Sequence, residues 1–191
     1  MIGMFRGALA AAAMFLAAAT ATAAPMSYRT TATATGTLGG TPFTDALVTI
    51  TGIGDTASVA CVVNYCETGT LDAMVSVAGI GTAEFTIDVR LFAAWSVDAV
   101  GFFDNAQFDI LDTFNPALAG YDLQSPFGPV TGASAINNDS YATTLGLLLL
   151  TSTGDSTFVA FSPVPEPASL GTLGFALAGL AAVRRRRARP V

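Results

Sequence analysis

From Glu84 to Leu91 the chain alternates polar and apolar residues without a break, which sets Phe85, Ile87, Val89 and Leu91 on one face of an extended strand. Asp88 and Arg90 then share the opposite face, where they can pair weakly. The same period recurs in Ala46–Thr51, with Val48 and Ile50 inward and Thr49 and Thr51 outward. Leu145–Leu150 is a nearly continuous apolar run and predicts a central strand covered on both faces. Gly39-Gly40, Gly52-Ile53-Gly54-Asp55, Asn137-Asn138-Asp139 and Thr153-Gly154-Asp155 read as turns between strands. No helical repeat appears between Ala24 and Pro163. These signals predict an all-β fold, an antiparallel β-sandwich of seven to ten strands, with a jelly roll as the favoured variant.

The chain's 52% hydrophobic content comes largely from its two ends. Met1–Arg6 carries one fixed charge, Ala8–Ala19 is apolar throughout, and Thr20–Ala24 supplies small residues, the three parts of a signal peptide. A cut after Ala24 would set Pro25 just beyond the scissile bond, where its ring and missing N–H hinder docking. Ala21 and Ala23 therefore mark the expected cleavage, leaving residues 1–23 as a signal helix and Ala24 as the new N-terminus. At the other end Ala168–Val183 is uncharged and apolar or small, but as a helix it is only about 24 Å long. A hydrocarbon core needs about 30 Å. The segment reads as a short transmembrane helix, weakened by Gly171, Gly174 and Gly179, and fixed in orientation by Arg184, Arg185, Arg186, Arg187 and Arg189. This gives three parts: signal peptide 1–23, exported β-domain 24–162, and a terminal region 163–191.

Charge is divided just as unevenly. Between Ala24 and Pro163 two arginines, Arg29 and Arg90, stand against thirteen acids, a net of −11, and the chain has no lysine. Such a domain repels phosphates, so no nucleic-acid partner is expected. The basic tail is a topology signal.

The terminal region, with Val164-Pro165-Glu166-Pro167, the continuation Ala168-Ser169-Leu170, the apolar span and the arginine cluster in that order, resembles the PEP-CTERM sorting signal of Gram-negative bacteria. The resemblance implies processing by an exosortase, after signal peptidase has acted at the other end. It also implies a transient stay in the inner membrane, then delivery to the cell surface or extracellular matrix, with exopolysaccharide or biofilm as the setting. Pro165 and Pro167 fix φ and disfavour helix in the residues before them, so the motif stays extended where an enzyme can grip it. The same signature also occurs on some ice-binding proteins. Tyr28–Leu38 further resembles the Thr-rich openings of exported PEP-CTERM proteins.

The chain has no histidine, which removes Ser-His-Asp and Cys-His catalysis and the common zinc sites. The lack of lysine removes Schiff-base chemistry. No phosphate loop appears, and neither a metal nor a cofactor is expected. Cys61 and Cys66 suit a disulfide across a tight turn at Asn64-Tyr65 in an oxidising compartment. Asp104, Asp109, Asp112 and Asp122 are raw material for glycoside hydrolysis, but acids on a lysine-free surface are more often solubilising. Asp104–Asp109 read as a strand sets Asn105, Gln107 and Asp109 on its outer face and Phe108 and Ile110 inward. It lacks the spacing of a twelve-residue calcium loop. Trp95, Tyr121 and Tyr141 can stack on sugars, though single aromatics are usually packing. The Thr30–Thr37 run offers a hydroxyl ladder of the kind an ice-binding face needs, but threonine also simply favours strands. The function that follows is an exported, non-enzymatic surface or matrix protein. A carbohydrate- or ice-binding module on the same sorting signal is the alternative.

Overall fold

The computed structural model describes residues 25–163. The signal helix, its cut at Ala21 and Ala23, the motif at Val164–Pro167, the apolar tail span and the arginine cluster lie outside the described residues. Among the described residues no helix is long and apolar enough to cross a membrane.

Twelve strands form one antiparallel sheet: β1 (Pro25–Leu38), β2 (Thr41–Asp55), β3 (Ala60–Val62), β4 (Tyr65–Glu67), β5 (Asp72–Val77), β6 (Gly81–Glu84), β7 (Val89–Ala94), β8 (Ala99–Asp104), β9 (Asp109–Phe114), β10 (Phe127–Ala135), β11 (Ser140–Thr143) and β12 (Gly146–Phe161). Their order is β3-β4-β7-β8-β9-β10-β12-β1-β2-β5-β6, with β11 also on β12. The sheet folds over on itself. Gly52 on β2 sits so close to the far half that an added Cβ would lie 2.7 Å from Leu71 and 3.0 Å from Phe102. Two seams join the halves. On one side β10 pairs first with β12 and then, from Ala133, with β9. On the other, Leu71 bridges Val89 and donates its N–H to the Val89 carbonyl at 2.8 Å.

The two inner faces share one core. Tyr28, Val48, Ile50, Leu148, Leu150 and Phe158 come from one half, and Val89, Leu91, Val100, Phe102 and Leu111 from the other. Burying such side chains is worth about 1.5–3 kcal/mol each and drives the closure. Most polar groups caught inside are paired, with Thr30 Oγ1 and Asp112 Oδ1 as exceptions. Thr113 and Ser156 share a 2.7 Å hydroxyl bond between β9 and β12, and the Tyr28 hydroxyl donates to the Leu123 carbonyl at 2.6 Å.

Several expectations change in detail. Strands β7, β8, β9 and β10 are neighbours in chain order, a meander run in place of the Greek-key crossings of the jelly roll expected. The strand count is twelve, above the expected seven to ten. Glu84–Leu91 keeps its alternating burial but is split, because the chain leaves β6 at Glu84 and starts β7 at Val89, one strand in each half. Arg90 consequently pairs with Glu67 on β4 at 3.5 Å, not with Asp88. Gly52–Asp55 is no turn: it continues β2, and Gly52 is small because Leu71 and Phe102 press against it. Thr153-Gly154-Asp155 lies within β12, where Ala32–Ala34 of β1 faces the longer stretch Thr153–Ser156, so the residues form a bulge. In the Leu145–Leu150 run, Leu145 and Leu147 are exposed, since the sheet's outer face is uncovered there. Gly39-Gly40 does turn the chain between β1 and β2, both with positive φ (59° and 80°) that glycine adopts without strain.

Cys61 and Cys66 are bonded and face each other across β3 and β4, with Cα atoms 4.1 Å apart. The turn is Val63-Asn64, one residue earlier than expected, with Asn64 in the left-handed region (φ 62°). Replacing both cysteines with serine should lower unfolding stability by about 2 kcal/mol, the loop-closure value for so short a ring. Urea unfolding of the oxidised protein against the double variant measures it.

Candidate functional site

The outer face of the half built from β4, β7, β8 and β9 carries the densest chemistry among the described residues. Cross-strand register sets Glu67, Phe92, Gly101 and Asp112 in one rank over four strands. Arg90, Phe103 and Asp109 form the rank beside it. Tyr65, one turn of the pleat from Glu67, completes an aromatic group. Its ring lies nearly parallel to Phe92 (10°, centroids 6.1 Å apart), and Phe103 meets Phe92 edge-on at 5.8 Å. A cavity of about 330 Å³ opens here, lined by Tyr65, Glu67, Phe92, Phe103, Gln107 and Asp109.

One edge of this cavity is the β8–β9 hairpin. Asp104–Asp109 is that hairpin and not one strand: β8 ends at Asp104 and β9 starts at Asp109. Asp104 builds the turn, its carboxylate accepting from the N–H groups of Ala106 and Phe108, each at 2.9 Å. Phe108 is consequently exposed, while Ile110 is buried as expected. Gln107 is held at φ 65°, an uncommon conformation for its residue type, and is thereby carried to the cavity rim.

Asp112 is the unusual group. It is 2% exposed, and its Oδ1 has no hydrogen-bond partner. The carboxyl lies across Gly101, occupying the space where a Cβ would stand, with the Phe92 ring only 2.8 Å from the same point. Glycine is required there because the acid fills its side-chain volume. Burial, and then the Asp109 charge, pushes Asp112 up to about 8, so it is protonated at neutral pH. Burial and neighbouring Asp104 also raise Asp109. Tyr65 is pushed up to about 12, first by burial and then by Glu67, whose carboxylate accepts from the Tyr65 hydroxyl at 3.4 Å. A protonated carboxylic acid beside a second carboxyl has the form of an acid–base pair. Its 2% exposure keeps Asp112 behind the aromatic layer.

The expected site residues divide three ways. Asp109 and Asp112 come together, Asp104 serves the turn, and Asp122 lies elsewhere, accepting from the Gln124 N–H at 3.0 Å. Trp95, Tyr121 and Tyr141 offer no platform. Trp95 donates to the Tyr121 carbonyl at 2.7 Å, Tyr121 stacks on Phe127, and the Tyr141 hydroxyl donates to the Asp109 carbonyl at 2.8 Å. Tyr65, Glu67, Phe92, Phe103 and Gln107 were not anticipated. The pair Phe102-Phe103 held a usable signal, since neighbours on a strand point to opposite faces and both faces must then bury a ring.

The other half presents a different surface. Thr131, Thr157, Thr31, Thr49, Ser76 and Thr82 stand in one rank across β10, β12, β1, β2, β5 and β6. All six are half-buried or exposed. Thr131 and Thr157 share a 2.7 Å bond, and Thr82 donates to Ser76 at 3.1 Å. The flanking rank holds Val159, Arg29, Thr51, Met74 and Glu84, so the hydroxyl row is one deep.

β12 ends at Phe161, directly beside Ser27 of β1, and only Ser162 separates it from the terminal region that starts at Pro163. Residues 163–187 match the family model of the PEP-CTERM protein-sorting motif. The chain carries a PEP-CTERM sorting motif. Such a motif supports export to the cell envelope or surface and sorting by an exosortase. Comparisons with curated proteins and with solved structures found no match. The PEP-CTERM match covers the tail alone and leaves the β-domain to its own chemistry.

Asp112 gives a pH prediction. Its acid is protonated in the fold up to about 8 and ordinarily loses its proton near 3.8, so its stabilising contribution is complete below that lower value. That contribution is lost as pH rises from about 4 to about 8. Asp112→Asn should therefore raise stability at pH 8 by about 1–3 kcal/mol and flatten the pH dependence between 4 and 8. Thermal melts of both proteins over that range check it.

Proposed function

We propose that the protein is an exported, non-enzymatic surface or extracellular-matrix component of a Gram-negative envelope, associated with exopolysaccharide. Signal peptidase removes residues 1–23, the tail holds the chain briefly in the inner membrane, and an exosortase then acts near Val164–Pro167. The PEP-CTERM match at 163–187 carries this reading. The fold is compatible with it. Ser27 pairs with Phe161, so the chain enters and leaves the β-domain at the same end. Only Ser162 and Pro163 lie in sequence between Phe161 and Val164 of the motif.

The hydroxyl rank favours a second reading, a carbohydrate- or ice-binding module carried on the same signal. Six hydroxyls on neighbouring strands repeat at about 4.8 Å, a spacing a periodic ligand can match. In this reading Thr31→Val and Thr49→Val together abolish whatever glycan binding or thermal hysteresis the protein shows, with little change in folding.

Replacing Pro165, Glu166 and Pro167 with alanine should make the unprocessed form accumulate in the inner membrane. Fractionation and mass spectrometry of the mature termini measure this. Unchanged processing and location would sink the sorting claim.

A further inference from the structure

The aromatic cavity on the β4–β7–β8–β9 face points to a ligand of one chemical kind. Its walls are the rings of Tyr65, Phe92 and Phe103. Its polar lining is Glu67, Gln107 and Asp109, which is rich in oxygen acceptors and poor in donors. The Glu67 carboxylate already holds Arg90 and the Tyr65 hydroxyl, at 3.5 and 3.4 Å. The side chains of Asp109 and Gln107 make no hydrogen bond among the described residues, so their acceptors remain open. The other arginine of the domain, Arg29, lies on the opposite half over the Phe161 ring, so it does not neutralise this face. The complement to open acceptors, aromatic rings and negative field is a donor-only cation on a body with an apolar face. About 330 Å³ is the small end of ligand pockets and suits a single ring.

We propose that this cavity binds the protonated amine of an amino sugar, as one unit of a deacetylated hexosamine polymer. The choice of a sugar body rests on the proposed association with polysaccharide; the choice of an ammonium rests on the cavity alone. Asp109 receives the ammonium, Gln107 accepts from a ring hydroxyl, and the apolar face of the sugar lies against the aromatic wall. Asp112, neutral and sealed behind Phe92, packs beneath the site without adding a second negative charge.

Isothermal titration of the protein purified from the envelope tests the assignment, using glucosamine oligomers. N-acetylglucosamine and glucose oligomers serve as uncharged controls of similar ring shape. The glucosamine series should bind and the two controls should not, with affinity falling as salt rises. Asp109→Asn should weaken binding about tenfold or more, the scale of a lost charge-assisted hydrogen bond. Gln107→Gly removes the amide at a backbone position glycine adopts freely, so it weakens binding without threatening the fold. Equal binding of the acetylated and free amines would overturn the proposal, as would no binding at all, or full affinity in Asp109→Asn. Localising the wild-type chain separates the two readings. Surface delivery without binding removes the site and leaves the sorting role, whereas binding without surface delivery does the reverse.

Discussion

The pairing of β1 with β12 is the contact on which the other elements hang. It joins Ser27 to Phe161 and Leu38 to Leu148, so nearly the whole domain is the loop it closes. Closing so long a loop costs entropy before any local contact compensates it. Buried side chains along the same strands offset the cost: Tyr28, Leu148, Leu150 and Phe158 are fully buried, and β2 extends the ribbon on the far side. β10 pairs along the free edge of β12, β9, β8 and β7 follow as neighbours, and β4 pairs with β7 although β5 and β6 lie between them in the chain. The fold is thus dominated by non-local contacts, a topology associated with slow folding.

Folding the sheet over on itself creates two outer faces of opposite character. One bears a rank of hydroxyls and few charges near its middle. The other bears rings and carboxyls held by the β8–β9 hairpin, with one acid pressed over a glycine. That difference follows from what each face must cover. β1, β2 and β12 are long and already well anchored inside, so their outer positions are free to be small and polar. β7, β8 and β9 are short, and rings on both sides add the packing that their length does not supply.

The link between domain and tail is the shortest connection in the described chain that bears on function. The rigid end of β12 stands two residues before the sorting region, next to the start of β1. The β-domain therefore starts and ends at one place, beside the sorting region.

Much was legible from residues alone. Alternation in Ala46–Thr51, the glycine turn at 39–40, the cysteine pair and the sorting region depend on neighbours in sequence, and local chemistry specifies them. The split of Glu84–Leu91 between two halves was not legible, because an alternating strand and two strands joined by a short crossing have the same periodicity. Nor was the role of Gly52 and Gly154, since glycine reads as a turn whether it serves curvature, a bulge or close packing. The site itself was half visible. Asp109 and Asp112 stood out as acids, but Tyr65, Glu67 and Phe92 join them only through cross-strand register over four strands, and a one-residue slip would send each to the other face. The sequence by itself determined that the chain carries a sorting motif and is built of strands, because motif and periodicity are local. Only the tertiary structure decided which side chains meet, because register and closure are set by burial across the whole sheet.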